Sequence, residues 1–424
     1  MTLDRARLAA LADYLAAAAV VSLPWSTSAT SVLLPIWAVA AVLTLDRAAL
    51  RQVLPAPAAA LPVALVVLAV LGVLWSDAAL PERFSGLSPF AKLLVIPLLF
   101  MQFSRSGRSE MILTAFLVSA SVLLAVSWLL VLFPQIPWPT LIPGVPVKDY
   151  IIQSAEFALC GFALLDRALS ARGESRVKSM LLAGLALLFL GDIVFVVLSR
   201  TSVVVIVALF GLLGLRHFER RALAAYVVAG LALAAITWTA SPYLRSRVIH
   251  VAEELDAPQA QVNETSAGAR VGFWKMSVKV IQDAPLIGHG TGSIKEVFAR
   301  AAAADPTAPT GATNPHNQIL AIAVQFGLLG AVLLIAMWAA HFRMFLFPGP
   351  TAWVGLSVVA QNVVSSLFNS HLSDFSNGWL YVFGLGIAGG VMLRERASES
   401  KTRADETTTA APSSGLEPAV GPAE

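Results

Sequence analysis

Three basic residues stand where a strongly apolar chain should not put them without a reason. Arg200, in Ser199-Arg200-Thr201, is wedged between two apolar runs with almost no connection between them. A guanidinium at membrane depth costs about 2.5 kcal/mol or more unless it meets water, protein or an anion. It reads as a snorkelling interfacial arginine or as an anion ligand. Arg270, in Ser266-Ala267-Gly268-Ala269-Arg270-Val271-Gly272-Phe273-Trp274, opens an amphipathic stretch. Guanidinium forks match phosphate oxygens bidentately, so two arginines on one membrane face suggest a pyrophosphate clamp. Taken alone, Arg270 reads equally as a surface arginine. His316 sits in Asn314-Pro315-His316-Asn317-Gln318-Ile319-Leu320, where Asn314-Pro315 reads as a helix start. The positive end of the helix dipole favours the neutral imidazole that a general base needs, although a capping histidine without chemistry fits the same spacing.

The remaining polar residues are less directed. Asp374 and His371, in Asn369-Ser370-His371-Leu372-Ser373-Asp374, fit a carboxylate that orients a histidine or pairs with an arginine, and equally a turn. Glu156 and Asp192 fall inside apolar runs. Asp192, about two helical turns from Arg200, suits an ion pair or support for the clamp, and Glu156 suits a cavity wall. Gly288-His289-Gly290-Thr291-Gly292 has the look of a phosphate loop but lacks the preceding strand and the following Lys-Ser/Thr, so no nucleotide site is expected. No two aspartates stand two positions apart, so the Asp-x-Asp device for holding a divalent metal is missing. Glu253, Glu254 and Asp256 read as a solvated helix face. Arginines, instead of a metal, would neutralise a leaving pyrophosphate. His217, His250, His289 and His341 receive no role. Cys160 is the only cysteine, which excludes disulfides within the chain and thiolate metal sites.

These residues must be positioned by membrane helices. Of 424 residues, 57% are hydrophobic and 13% charged, and the mean hydropathy is +0.75. A soluble domain carries about a quarter of its residues charged, so an ordinary cytosolic domain, a nucleic-acid module and a disordered chain are excluded. About twelve apolar runs are legible, near 8–22, 29–45, 58–75, 90–103, 111–133, 151–169, 180–198, 201–215, 223–239, 317–340, 352–368 and 379–393. The fourth is short and contains Lys92; the first carries Asp13. Most connecting Lys and Arg residues fall on one side, against Arg83, Lys148 and Arg200 on the other, which puts both termini in the cytoplasm. No cleaved signal peptide and no internal repeat is expected. The chain divides into membrane helices over 1–239, a polar helical region on the outer face over 240–315, further membrane helices over 316–394, and a disordered cytoplasmic tail over 395–424. Within the outer region, helical spacing is read over 243–255, 271–281 and 293–304.

The motif around His316, the Gly-rich passage 285–292 upstream and Arg270 four residues before Trp274 resemble the O-antigen ligase superfamily. That superfamily also holds O-antigen polymerases and bacterial O-linked oligosaccharyltransferases. The resemblance implies an all-α integral membrane protein of about twelve transmembrane helices with one large helical periplasmic loop, similar to the GT-C architecture. It implies a metal-independent, inverting glycosyltransferase of the bacterial inner membrane, without a cofactor, acting in lipopolysaccharide biosynthesis. Such an enzyme moves glycan from undecaprenyl pyrophosphate to lipid A–core at the periplasmic face, amid membrane lipids and with no nucleotide or nucleic acid. By resemblance His316, Arg200 and Arg270 are catalytic, and Arg200, Arg270, Asn317, Trp274 and Asp374 bind substrate. A polymerase or protein O-glycosylating relative differs in acceptor alone. A lipid-linked-sugar flippase or solute transporter is the reading from a different class, disfavoured because the notable polar residues crowd the outer face.

Overall fold

A computed structural model describes the backbone of residues 4–140, 142–197, 199–242, 245–246, 249, 266–304 and 313–409, and of these the side chains of all but 266, 267, 401 and 403–409. The described chain is helical. Its longer elements are α1 (Arg5–Ser22), α2 (Thr27–Leu43), α3 (Arg47–Val53), α4 (Pro57–Gly72), α5 (Leu80–Ser85), α6 (Ser88–Ala91), α7 (Val95–Phe103), α8 (Ser109–Leu132), α9 (Tyr150–Ser170), α10 (Arg176–Phe195), α11 (Arg200–His217) and α12 (Arg220–Ala240). They continue as α13 (Ser266–Asp283), α14 (Ile294–Ala304), α15 (Gln318–Met344), α16 (Pro350–Ser365) and α17 (Phe375–Thr409). Short polar side chains start several of them by accepting orphan backbone N–H groups: Asp4, Ser26, Asp46, Asp149, Ser175, Ser199 and Asn317.

Each of the twelve apolar runs falls on a helix. Seven described helices are long and apolar enough to cross a membrane, and eight if α2 and α3, bent by 107°, form one span. Two expectations need correction. The run at 90–103 is the end of a longer apolar stretch, Leu80–Phe103, because α5 to α7 follow one another through a short 3-10 turn that holds Lys92. The tail does not become irregular at 395, since α17 runs on to Thr409; residues 410–424 lie outside the described ones. So do most of the helix expected over 243–255, His250 and the cluster of Glu253, Glu254 and Asp256.

The two ends of the bundle differ in chemistry. One end gathers arginines on carboxylates and helix C-termini: Arg105 on Asp46 at 2.8 Å, Arg108 on Asp13 at 3.1 Å, Arg167 on Glu110 at 2.7 Å, and Arg216 on Asp166 at 2.7 Å. Cations at helix C-termini are favoured by the backbone dipoles. His217 shares Asp166, and His341 bridges Tyr381 and the Ala58 carbonyl deep in the bundle, so both have structural partners. Helix α12 buries none of its residues and meets α11 where Tyr226 stacks on Phe210 at 4.3 Å, leaving its apolar surface for lipid.

The opposite end is organised by a break in α15. At Gly327 the backbone turns to φ 59°, ψ −154°, and the helix is interrupted. The carbonyls of Val324 and Gln325 accept instead from His289 and Gly290 (3.0 and 2.8 Å), and the N–H groups of Leu328 and Leu329 donate to Pro285 and Leu286 (2.8 and 3.2 Å). The Gly-rich passage thus supplies the hydrogen bonds that the broken helix lacks. It is also tied to the end of α4 through Thr291 N–H to the Gly72 carbonyl at 3.1 Å and Ser76 Oγ to the Thr291 carbonyl at 2.7 Å. His289 is part of this plug, bound to Asp77 at 2.9 Å and the Val280 carbonyl at 3.0 Å.

Gly290 has φ 82°, and a Cβ there would lie 2.3 Å from Ser76 Cα, a backbone atom that has no free path to retreat. The substitution Gly290→Ala should therefore cost about 1–3 kcal/mol from overpacking, with left-handed backbone strain added. Its melting temperature in detergent is expected to fall by several degrees, whereas Gly107→Ala, in open space, leaves it unchanged.

Candidate active site

His316 is placed by two loops that meet at the end of the bundle opposite the arginine–carboxylate pairs. The helix begins at Gln318, with Asn317 as its cap, so the expected start at Asn314-Pro315 lies too early. Asn314 serves a different end: its Oδ1 accepts the His316 backbone N–H at 2.9 Å and the Ser370 hydroxyl at 2.7 Å. His316 consequently sits two residues before the helix with φ 53°, a left-handed conformation uncommon for a histidine. Such strain persists only where the surroundings impose it. The Asn317 side chain is spent on backbone, accepting from Leu320 N–H at 3.1 Å and donating to the Leu367 carbonyl at 3.0 Å. Asn317 thus ties the start of the helix to the loop after α16.

The His316 ring lies half-buried against Phe273, centroids 6.0 Å apart and planes 25° from parallel. Its Nδ1 is 3.0 Å from Asn369 Oδ1. Burial lowers the His316 pKa below the ordinary 6.5, and the nearby Arg270 guanidinium lowers it further, against the opposing hydrogen bond to Asn369. A base that is neutral at pH 7 results.

Helix α13 brings the second expected residue to this place. Met276 and Val280 pack with Val297 and Phe298 of α14 and Val324 of α15 in a small separate core. One turn earlier Phe273 meets His316, and at the next turn Arg270 lies within electrostatic reach of both His316 and His371. Trp274, on the same helix, has its indole N–H buried without an acceptor among the described residues.

Residues 366–374 form the facing wall. His371 is 2% exposed, and its Nε2 has no hydrogen-bond partner among the described residues. Burial and then Arg270 push its pKa well below the ordinary value, opposed by Asp374 and Asp149. Asp374 is the N-terminal residue before α17, accepting from Asn377 N–H at 3.4 Å, while its field reaches His371, Lys148 and Lys92. Both lysines escaped sequence reasoning as site residues. Lys92 is 6% exposed and donates to the carbonyls of Asp374 at 2.6 Å and Ser373 at 3.3 Å. Lys148 reaches the Leu23 carbonyl and Ser376 Oγ, and burial lowers its pKa against the pull of Glu156, Asp374 and Asp149. An ammonium inside an apolar run was the available signal for Lys92; Lys148 carried none beyond its charge.

Arg200 occupies the first turn of α11 at this same end. The start of that helix is fixed by a capping box between Ser199 and Ser202, and by Ser199 Oγ lying 3.2 Å from Ser154 Oγ of α9. The structure therefore draws Arg270, His316, His371 and Asp374 into one neighbourhood and places Arg200 on a separate helix facing the same end. Asp192 does not serve as the expected ionic support. Its carboxylate accepts from Ser127 Oγ at 2.6 Å and Gln153 Nε2 at 3.3 Å, neutral donors that tie α8, α9 and α10. Glu156 is buried, both its carboxylate oxygens lack a hydrogen-bond partner among the described residues, and its charge is felt at Lys148.

Residues 185–335 match the family described as O-antigen ligase. The match covers Arg200, Arg270 and His316, ends before Asn369 and Asp374, and supports membership in the O-antigen ligase/polymerase superfamily. No curated protein matches the chain.

Removing the Arg270 charge relieves its repulsion of a protonated His316. In Arg270→Gln the His316 pKa is expected to move upward toward 6.5, read by NMR of histidine-labelled protein between pH 4.5 and 8.5. A downward shift contradicts the electrostatic assignment.

Proposed function

We propose that this member of the superfamily is an O-antigen ligase: an inverting glycosyltransferase that moves glycan from undecaprenyl pyrophosphate to lipid A–core. The observation that carries the reading is a depressed, neutral His316 held beside the Arg270 guanidinium at the outer end of a helical bundle. Neither group alone is informative; a general base beside an anion-binding cation is what this displacement requires.

In the proposed reaction the donor pyrophosphate lies against Arg270 and Arg200, whose charges stabilise the oxygen that leaves. The acceptor hydroxyl attacks the anomeric carbon from the opposite face, and its proton passes to the lone pair on His316 Nε2. A new C–O bond forms as the anomeric bond to pyrophosphate breaks, and the electron pair departs with the diphosphate. One displacement inverts the anomeric configuration. The guanidinium groups supply the charge neutralisation a metal would otherwise give. Trp274, whose buried indole N–H has no acceptor among the described residues, offers a donor to a sugar or phosphate oxygen. Asp374 acts at one remove, as a carboxylate beside His371 and Lys148.

This function fixes an orientation in which the arginine-rich end and both termini face the cytoplasm and the site faces the periplasm of the bacterial inner membrane. The distribution of arginines between the two ends supports it. A membrane-embedded setting suits two lipid-borne substrates, each of which arrives sideways through the bilayer.

The test is transfer by purified protein in detergent, with undecaprenyl-pyrophosphate-linked glycan, EDTA and lipid A–core as acceptor. Product is expected from the native chain, falling about 10²–10⁴-fold in His316→Ala and about 10²–10³-fold in Arg270→Gln. Chain growth on a second lipid-linked glycan, without transfer to lipid A–core, would instead assign a polymerase.

A further inference from the structure

The two loops that carry His316 and Asn369 determine more than position; they determine which ring nitrogen bears the proton. The Asn369 amide can be oriented from its contacts. One of its terminal atoms lies 3.0 Å from the backbone N–H of Ser370, which only donates, so that atom is the carbonyl oxygen Oδ1. The same oxygen lies 3.0 Å from His316 Nδ1. An amide oxygen has no proton to give, so the hydrogen bond exists only if Nδ1 carries one. A neutral imidazole has a single N–H, and Nε2 is then left with its lone pair.

We infer that Asn369 is the positioning residue that holds His316 as the Nδ1-protonated imidazole with Nε2 free to take a proton. The inference deepens the ligase reading, because it names what sets the base in its working form. Asn369 touches neither substrate nor reacting atoms; it acts through His316.

Three further features hold the pair together. Asn314 Oδ1 binds the His316 backbone and the Ser370 side chain at once, so the residue after Asn369 is fixed to the residue it orients. Gln318 exchanges bonds with Ser373, from its Nε2 to Ser373 Oγ at 3.0 Å and from Ser373 N–H to its Oε1 at 3.2 Å. Lys92 grips the carbonyls at the loop's far end. Phe273 lies over the ring face and opposes the flip about Cβ–Cγ that would take Nδ1 away from Asn369. Of the charged groups around it, Arg270 on α13 acts on His316 directly, while His371 and Asp374 follow Asn369 along its own loop and Lys92 and Lys148 stand behind Asp374.

The experiment combines nitrogen NMR of ¹⁵N-histidine-labelled full-length protein in detergent with the pH dependence of transfer. The His316 resonances are assigned by their loss in His316→Gln. In the native chain at pH 7.5, His316 should show a protonated Nδ1 and an unprotonated Nε2. Asn369→Asp keeps the shape and places a carboxylate on Nδ1–H, so the His316 pKa should rise by about one unit or more, and the acid limb of kcat/KM with it. Asn369→Leu removes the acceptor. The Nε2–H form should then appear, and kcat should fall about ten- to a hundred-fold with the donor KM changed less than about twofold. An Nε2–H tautomer in the native chain would overturn the inference, as would a His316 titration unchanged in Asn369→Asp. The NMR result is independent of turnover, so absent transfer with the expected tautomer counts against the ligase reading and leaves the role of Asn369 standing.

Discussion

A helix that crosses a membrane cannot leave backbone groups unpaired, and α15 is interrupted at Gly327 all the same. The interruption is tolerable only because residues 285–290 return four hydrogen bonds to it, two to its carbonyls and two from its N–H groups. That exchange demands left-handed glycines at 288 and 290 and a close approach of two backbones. It also has a geometric consequence. The chain leaving α13 must reach the break within a few residues, so α13 is laid along the first segment of α15, and its residues stand over the loop that precedes that segment.

The chemistry around His316 follows from this placement. Phe273 meets the His316 ring, Arg270 enters its field, and α14 closes the small core behind them. On the other side, residues 366–374 are fixed by Lys92, Gln318 and Asn314. A histidine with its backbone in the left-handed region is the meeting point of the two. Neither wall alone would hold it, which is why the strained conformation belongs to the assembled site.

Much of this was legible beforehand. Twelve apolar runs correspond to helices because the requirement for intrasegment hydrogen bonds leaves little alternative in lipid, and the helices expected over 271–281 and 293–304 are present as α13 and α14. His316 and Arg270 were marked by residue type and local spacing, and their nearness is an outcome of the fold. What escaped notice depends on contacts between distant segments. Lys92 read as a blemish in an apolar run until Ser373 and Asp374, some 280 positions away in sequence, appeared as its acceptors. Asn369 carried no pattern of its own, since an asparagine in a turn is ordinary. The use of the Gly-rich passage as a splice for a broken helix has no local signature. Asp192 was read as an ion-pair partner or a support for the arginine clamp, whereas its hydrogen bonds come from the neutral donors Ser127 and Gln153.

The central claim is that Arg270, Arg200 and His316 surround one diphosphate. It is tested most directly by electron cryo-microscopy of the full chain in lipid nanodiscs with undecaprenyl pyrophosphate added. The account predicts diphosphate density in contact with the Arg270 and Arg200 guanidinium groups, and His316 Nε2 facing the terminal phosphate across a space open to an acceptor. Density bound at the arginine-rich opposite end, or at the outer end but away from Arg270, would contradict it.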